Sequence, residues 1–232
     1  MKTVELKELL QTHVGRYSRL LDIRLEEGSD DEIFKWFLMS TLFGAPISES
    51  AAVKTYHTFE KHNVLTPYNI IKTGWKGLVA TLDEGGYTRY DYKTADKLLE
   101  MARNLLDKYD ARLNHVHDEA SDSRDLENRL KSLAKGIGDV TVSIFLRELR
   151  GVWEKADPYP TALEILAAKQ LGILKEGVDG QQALICLKNF WSENCISGKS
   201  FVEFETALVR LGRQYKSRSL KVHLFWAGLR LH

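Results

Sequence analysis

Apolar side chains recur along this chain at intervals of three and four, the spacing that buries one face of an α-helix. Ile33, Phe34, Phe37, Leu38 and Thr41 form one such face, and Ser29 followed by Glu32 has the spacing of a capping box at its start. A second helix is expected through Ala51, Val53, Tyr56 and Phe59. Thr66-Pro67 reads as an N-cap with proline at the first helical position, opening a further short helix. Leu98, Leu99, Met101, Ala102, Leu105 and Leu106 predict a longer helix over 93–108. The polar stretch from His115 to Asp125 reads as a loop. Leu126, Leu130 and Leu133 then define a helix ending at Gly136, and Val140, Ile144, Phe145 and Leu149 define the next. Thr161 with Glu164, and Ser200 with Glu203, repeat the capping-box spacing. No run of alternating β-branched residues competes with these readings, so the expected class is all-α.

Composition narrows the functional classes. The 232 residues carry 33 basic and 32 acidic side chains, so any nucleic-acid surface must be a local patch. Cys186 and Cys195 are too few for a disulfide framework or a cysteine-ligated cluster. The charged, amphipathic N-terminus lacks the apolar core of a signal peptide, and no stretch has the length of a spanning helix. A cytoplasmic protein, nucleoid-associated if it binds DNA, is the expectation.

The segment with most chemical content is LKSLAKGIGDVTVSIFLRELRG, residues 130–151. Two amphipathic helices are joined by Gly136-Ile137-Gly138. Glycine allows a left-handed turn and close approach of another backbone, and Ile137 can plug the space between the helices. The second helix starts near Asp139, presenting unsatisfied amides where a phosphate can approach. Such a bend can grip one DNA strand without reading its sequence. An ordinary tight turn between packed helices accounts for the same residues.

This segment resembles the helix-hairpin-helix and Gly/Pro/Asp motif of the endonuclease III-like DNA glycosylase superfamily. There a leucine-rich helix, a glycine-flanked turn and a second helix are followed by an essential aspartate, matched here by Gly136-Ile137-Gly138 and by Asp157 in Trp153-Glu154-Lys155-Ala156-Asp157-Pro158. Phe34–Thr58 resembles the family's helix pair with a DNA-inserting residue between them. Gly86-Tyr87-Thr88-Arg89 and the helix after it resemble its mid-domain turn. The similarity spans roughly residues 30–175.

The resemblance implies a two-lobed helical fold with double-stranded DNA as partner. One lobe would be a six-helix bundle over 31–134, the other residues 1–30 plus 135–232. It implies that Asp157 stabilises the sugar cation formed as a flipped base leaves, facing the deoxyribose held at the bend. Asp157-Pro158 reads equally as a helix N-cap followed by proline. Gly136, Ile137, Gly138, Asp139, Val140 and Thr141 would meet the DNA backbone. Bifunctional relatives carry a Schiff-base lysine at the position of Val140, and Lys135 is displaced from it, so a member of this kind would be monofunctional. A carboxylate at Asp139 would repel phosphate unless turned inward as a cap. The iron–sulfur cluster of some members cannot be built here, and an alkali cation on the carbonyls of Ser132, Ala134 and Ile137 is the one cofactor implied. Leu42, Phe43 and Pro46 are read either as base-flipping residues or as core. Tyr87, Arg89, Tyr90 and Tyr92 either flank a pocket or form a solvated turn. After Glu205 no acid occurs, while Arg210, Arg213, Lys216, Arg218, Lys221 and Arg230 make a basic tail that is either a phosphate surface or a solvated helix face. His115 and His117 are read as solvent-exposed rather than as metal ligands. The rival readings are a non-catalytic DNA-binding protein on the same fold and a helical scaffold with no nucleic-acid role.

Overall fold

The computed structural model describes the backbone of residues 3–228 and the side chains of residues 5–217. Eleven helices run through the described residues: α1 Thr3–Thr12, α2 Asp30–Phe43, α3 Glu49–Lys61, α4 Pro67–Gly85, α5 Asp91–Tyr109, α6 Leu113–Glu119, α7 Ser123–Lys131, α8 Asp139–Glu148, α9 Ala162–Gln170, α10 Gly180–Asn194 and α11 Phe201–Gly228. No strand occurs among them, only an isolated bridge between Arg150 and Trp153. None of these helices is long and apolar enough to cross a membrane.

The caps explain where several helices start. The Ser29 hydroxyl accepts the Glu32 amide, but the Glu32 carboxylate turns to the Arg24 amide at 2.7 Å, so only half of the expected box forms. Thr161 with Glu164 and Ser200 with Glu203 form reciprocal boxes. Thr66 caps α4 with Pro67 at its start, and α4 is longer than expected because a kink at Gly74 (φ 68°, ψ 174°) joins two helical stretches. The stretch 115–125 is not a loop. It carries most of α6 and the start of α7, because Leu113 and Val116 are buried and Asp122 caps α7 by accepting the Arg124 and Asp125 amides.

The described residues divide into two compact units, one spanning Ser18–Pro158 and the other combining those up to Tyr17 with those from Tyr159 on. The expected division at 31 and 134 is therefore corrected. The reason is the packing of α8, which belongs to the core of α2: the Trp36 indole donates to the Phe145 carbonyl at 3.1 Å, and the Phe37 and Phe145 rings lie 4.7 Å apart. In this unit α2 is buried on nearly every side from Ile33 to Phe43, as a central helix must be. Its Ser40 and Thr41 hydroxyls satisfy themselves on carbonyls one turn back. In the other unit Leu6, Leu9, Ala167, Leu187, Phe204 and Leu208 share one core. There the Arg210 guanidinium donates to the carbonyls of His13, Val14 and Gly15 and lies 4.3 Å over the Tyr17 ring.

Candidate nucleic-acid interface

The hairpin is built by α7, the turn 132–138 and α8. Leu126, Leu130 and Leu133 are buried, so α7 presents its apolar stripe inward. Within the turn the Ile137 amide donates to the Ala134 carbonyl at 3.1 Å, and the Ile137 side chain is buried as a plug. Gly136 has φ +90°, a left-handed conformation that costs an L side chain about 1–2 kcal/mol. Gly138 is different. Its backbone is extended (φ −113°, ψ −177°), and a Cβ there would meet nothing within 4 Å.

Gly138 is the N-cap of α8 and has no side chain with which to satisfy the first amides. Gly138, Asp139 and Val140 are all exposed, so these amides open outward. Asp139 does not turn inward as a cap. Its carboxylate is exposed and pairs with Lys131 across the bend at 3.0 Å, which offsets part of its repulsion toward an anion. Val140 projects into solvent at 56% exposure. Thr141 is buried against Gly44, where a Cβ would meet its hydroxyl at 2.2 Å. Ile137 and Thr141 thus offer a DNA strand only their backbones. The Ala134 carbonyl, one of three expected around an alkali cation, already accepts the Ile137 amide.

One face of α5 braces the bend. Glu100 accepts the Lys135 amide at 3.0 Å, Asn104 donates to the Leu133 carbonyl at 2.9 Å, and the Lys97 side chain would be 3.2 Å from a Cβ on Gly136. Burial holds the Lys97 ammonium below the usual lysine range. Sequence reading missed these three residues. Their spacing of three and four marks one polar face of α5, but nothing local says that the face meets residues 133–136.

Asp157 follows α8 in an irregular segment and caps no helix, since α9 starts at Ala162 behind Thr161. Trp153 fixes the segment: its indole donates to the Asn114 side chain at 2.8 Å and stacks 5.0 Å from the His117 ring. Arg150, almost wholly buried, pairs with the Asp157 carboxylate and donates to the Pro158 carbonyl at 2.7 Å. Arg124, in the first turn of α7, donates to the Asp157 carbonyl at 2.5 Å. Both anchors lie away from the bend. Arg150 follows the C-terminal end of α8, whereas the open amides are at its N-terminal end, and ten helical residues rise about 15 Å. The expectation that acid and bend address one deoxyribose is corrected accordingly: they are held at opposite ends of α8.

The other expected residues disperse. Leu42 and Phe43 are core, and so is Tyr87, whose hydroxyl donates to the Leu42 carbonyl at 2.9 Å. Burial pushes the Tyr87 phenol above its usual range. None of the three reaches a groove. Arg89 is exposed, 5.6 Å over the Tyr90 ring, and Pro46 is exposed between α2 and α3. In the basic tail Arg210 is spent on the end of α1, and the side chains of Arg218, Lys221 and Arg230 lie outside the described residues. Among the described residues no three His, Cys, Asp or Glu side chains converge to hold a metal. No protein-family model and no curated protein matches this chain.

Proposed function

We propose that this protein binds double-stranded DNA through the Gly136–Val140 bend and acts as a monofunctional DNA glycosylase, with Asp157 stabilising the sugar cation as a flipped base departs. The observation that carries the reading is the uncapped start of α8 behind an unhindered glycine, an exposed row of amides suited to a phosphate. The Lys131 ammonium pairs with Asp139 across the bend and offsets its carboxylate there. Arg150 orients the Asp157 carboxylate, and the hairpin would grip the strand a few nucleotides from the target base. Val140 carries no amine, so water takes the base's place and the strand stays intact.

Gly138→Asp tests the binding half cleanly. The extended backbone and open surroundings accept the side chain, which then satisfies the α8 amides itself and sets a charge against phosphate. Affinity for duplex DNA is expected to fall by about tenfold to a hundredfold, while Gly138→Ala retains it. Asp157→Asn tests the catalytic half. Base release from duplexes carrying uracil, 8-oxoguanine, alkylated purines or thymine mismatches is expected to fall about a hundredfold or more, with binding kept and no borohydride-trapped imine in either protein. Unchanged DNA affinity in Gly138→Asp overturns the reading. A second reading, a DNA-binding protein without excision, is favoured by one feature: the Arg150 guanidinium already offsets the Asp157 charge. Tight retention of abasic DNA with no base released from any duplex selects it.

A further inference from the structure

An open cleft of about 540 Å³ lies along α5, with α4 at its edge. The kink at Gly74 sets Trp75 on its rim, where the indole N–H donates to Asp96 at 2.9 Å and the ring lies 5.2 Å from Tyr92. Both rings face solvent, at 39% and 59% exposure. Along α5 the cleft is lined by Asp96, Glu100 and Asp107, with Arg103 as the single cation among its lining residues. Asp107 forms no ion pair among the described residues. An exposed indole held in place by a hydrogen bond, beside carboxylates in excess, repels phosphate and suits a flat cation. A guanidinium meets both demands, stacking on an aromatic face while forking to carboxylate oxygens.

We infer that this cleft binds an arginine-bearing basic segment of a partner protein. The inference stands apart from the DNA reading, because its charge is opposite to what a nucleic acid needs and it uses neither the α8 amides nor Asp157. The cleft shares Glu100 and Asn104 with the braces of the bend, so a partner seated there touches the residues that hold 133–135.

Calorimetric titration of the full chain with a hexapeptide alternating glycine and arginine, at low ionic strength, tests this. One saturable site is expected, weakened about tenfold or more by Trp75→Ala and by Asp107→Lys. Both positions are exposed, and a circular-dichroism melt matching that of the parent confirms that each variant is folded. The inference is overturned if the peptide binds those variants as well as the parent, or if no saturable binding occurs. It is equally overturned if spermine binds as tightly as the peptide, since the cleft then takes any polycation, or if either variant loses duplex DNA, since the cleft then belongs to the nucleic-acid surface.

Discussion

Gly136 and Gly138 sit two positions apart, yet their substitutions have opposite consequences. At Gly136 the positive φ and the nearby Lys97 side chain oppose a Cβ, so Gly136→Ala is expected to cost about 1–2 kcal/mol in a denaturant melt. At Gly138 the backbone is already that of a capping residue, so Gly138→Asp is expected to stabilise the fold by a few tenths of a kcal/mol while losing DNA. A rise in stability coupled to a fall in affinity is a signature that simple unfolding cannot produce. His13 supplies a pH dependence. Burial first, and then the Arg210 guanidinium, hold its imidazole below the usual value of 6.5, so the folded chain keeps it neutral where the unfolded chain protonates it. The unfolded state therefore binds more protons, and stability is lost as pH falls through 6.5 and below, by at most about 1.4 kcal/mol per pH unit from this group. Urea midpoints from pH 7.5 down to 5.5 should decline in the parent and flatten in His13→Leu.

At the scale of elements, close helix contacts depend on single glycines that no periodicity reveals. A Cβ on Gly212 of α11 would lie 2.1 Å from the Leu163 carbonyl of α9, and backbone cannot swing aside. Gly212→Ala should therefore force α9 and α11 apart and destabilise the chain by about 1–3 kcal/mol, measured as a lowered melting temperature. Helices with long apolar stripes, such as α2, α5 and α8, are legible in the sequence, and so are the starts of α4, α9 and α11, because a hydroxyl or proline marks each. The helix α6 is not, and neither is the first turn of α7, although the leucines of α7 are. A seven-residue helix buries only Leu113 and Val116, too few positions to display a period, and its stability comes from neighbours rather than propensity. The candidate site divides the same way. The glycine bend and its Ile137 plug are local and readable, whereas the Glu100 and Asn104 braces arrive from thirty-five and twenty-nine positions upstream.

At the scale of the whole molecule, the unit Ser18–Pro158 is a continuous stretch with its own core, and it contains both the bend and Asp157. A fragment of those residues is expected to show a helical circular-dichroism spectrum, a cooperative melt and salt-sensitive retention of duplex DNA. An unfolded fragment would mean that the flanking segments complete its core. The sequence by itself determined the all-helical class, the inward leucines of the hairpin, the left-handed freedom at Gly136 and the lack of an amine at residue 140. These follow from the period of apolar residues and from backbone sterics, which act over a few positions. Only the tertiary structure decided that α8 joins α2, that Tyr87 and Leu42 are core, that Lys97 lies against the bend, and that Arg150 holds Asp157 at the far end of α8. A hydrophobic period tells which face of a helix is covered but not which helix covers it, and the partner of a charged side chain is settled by that choice.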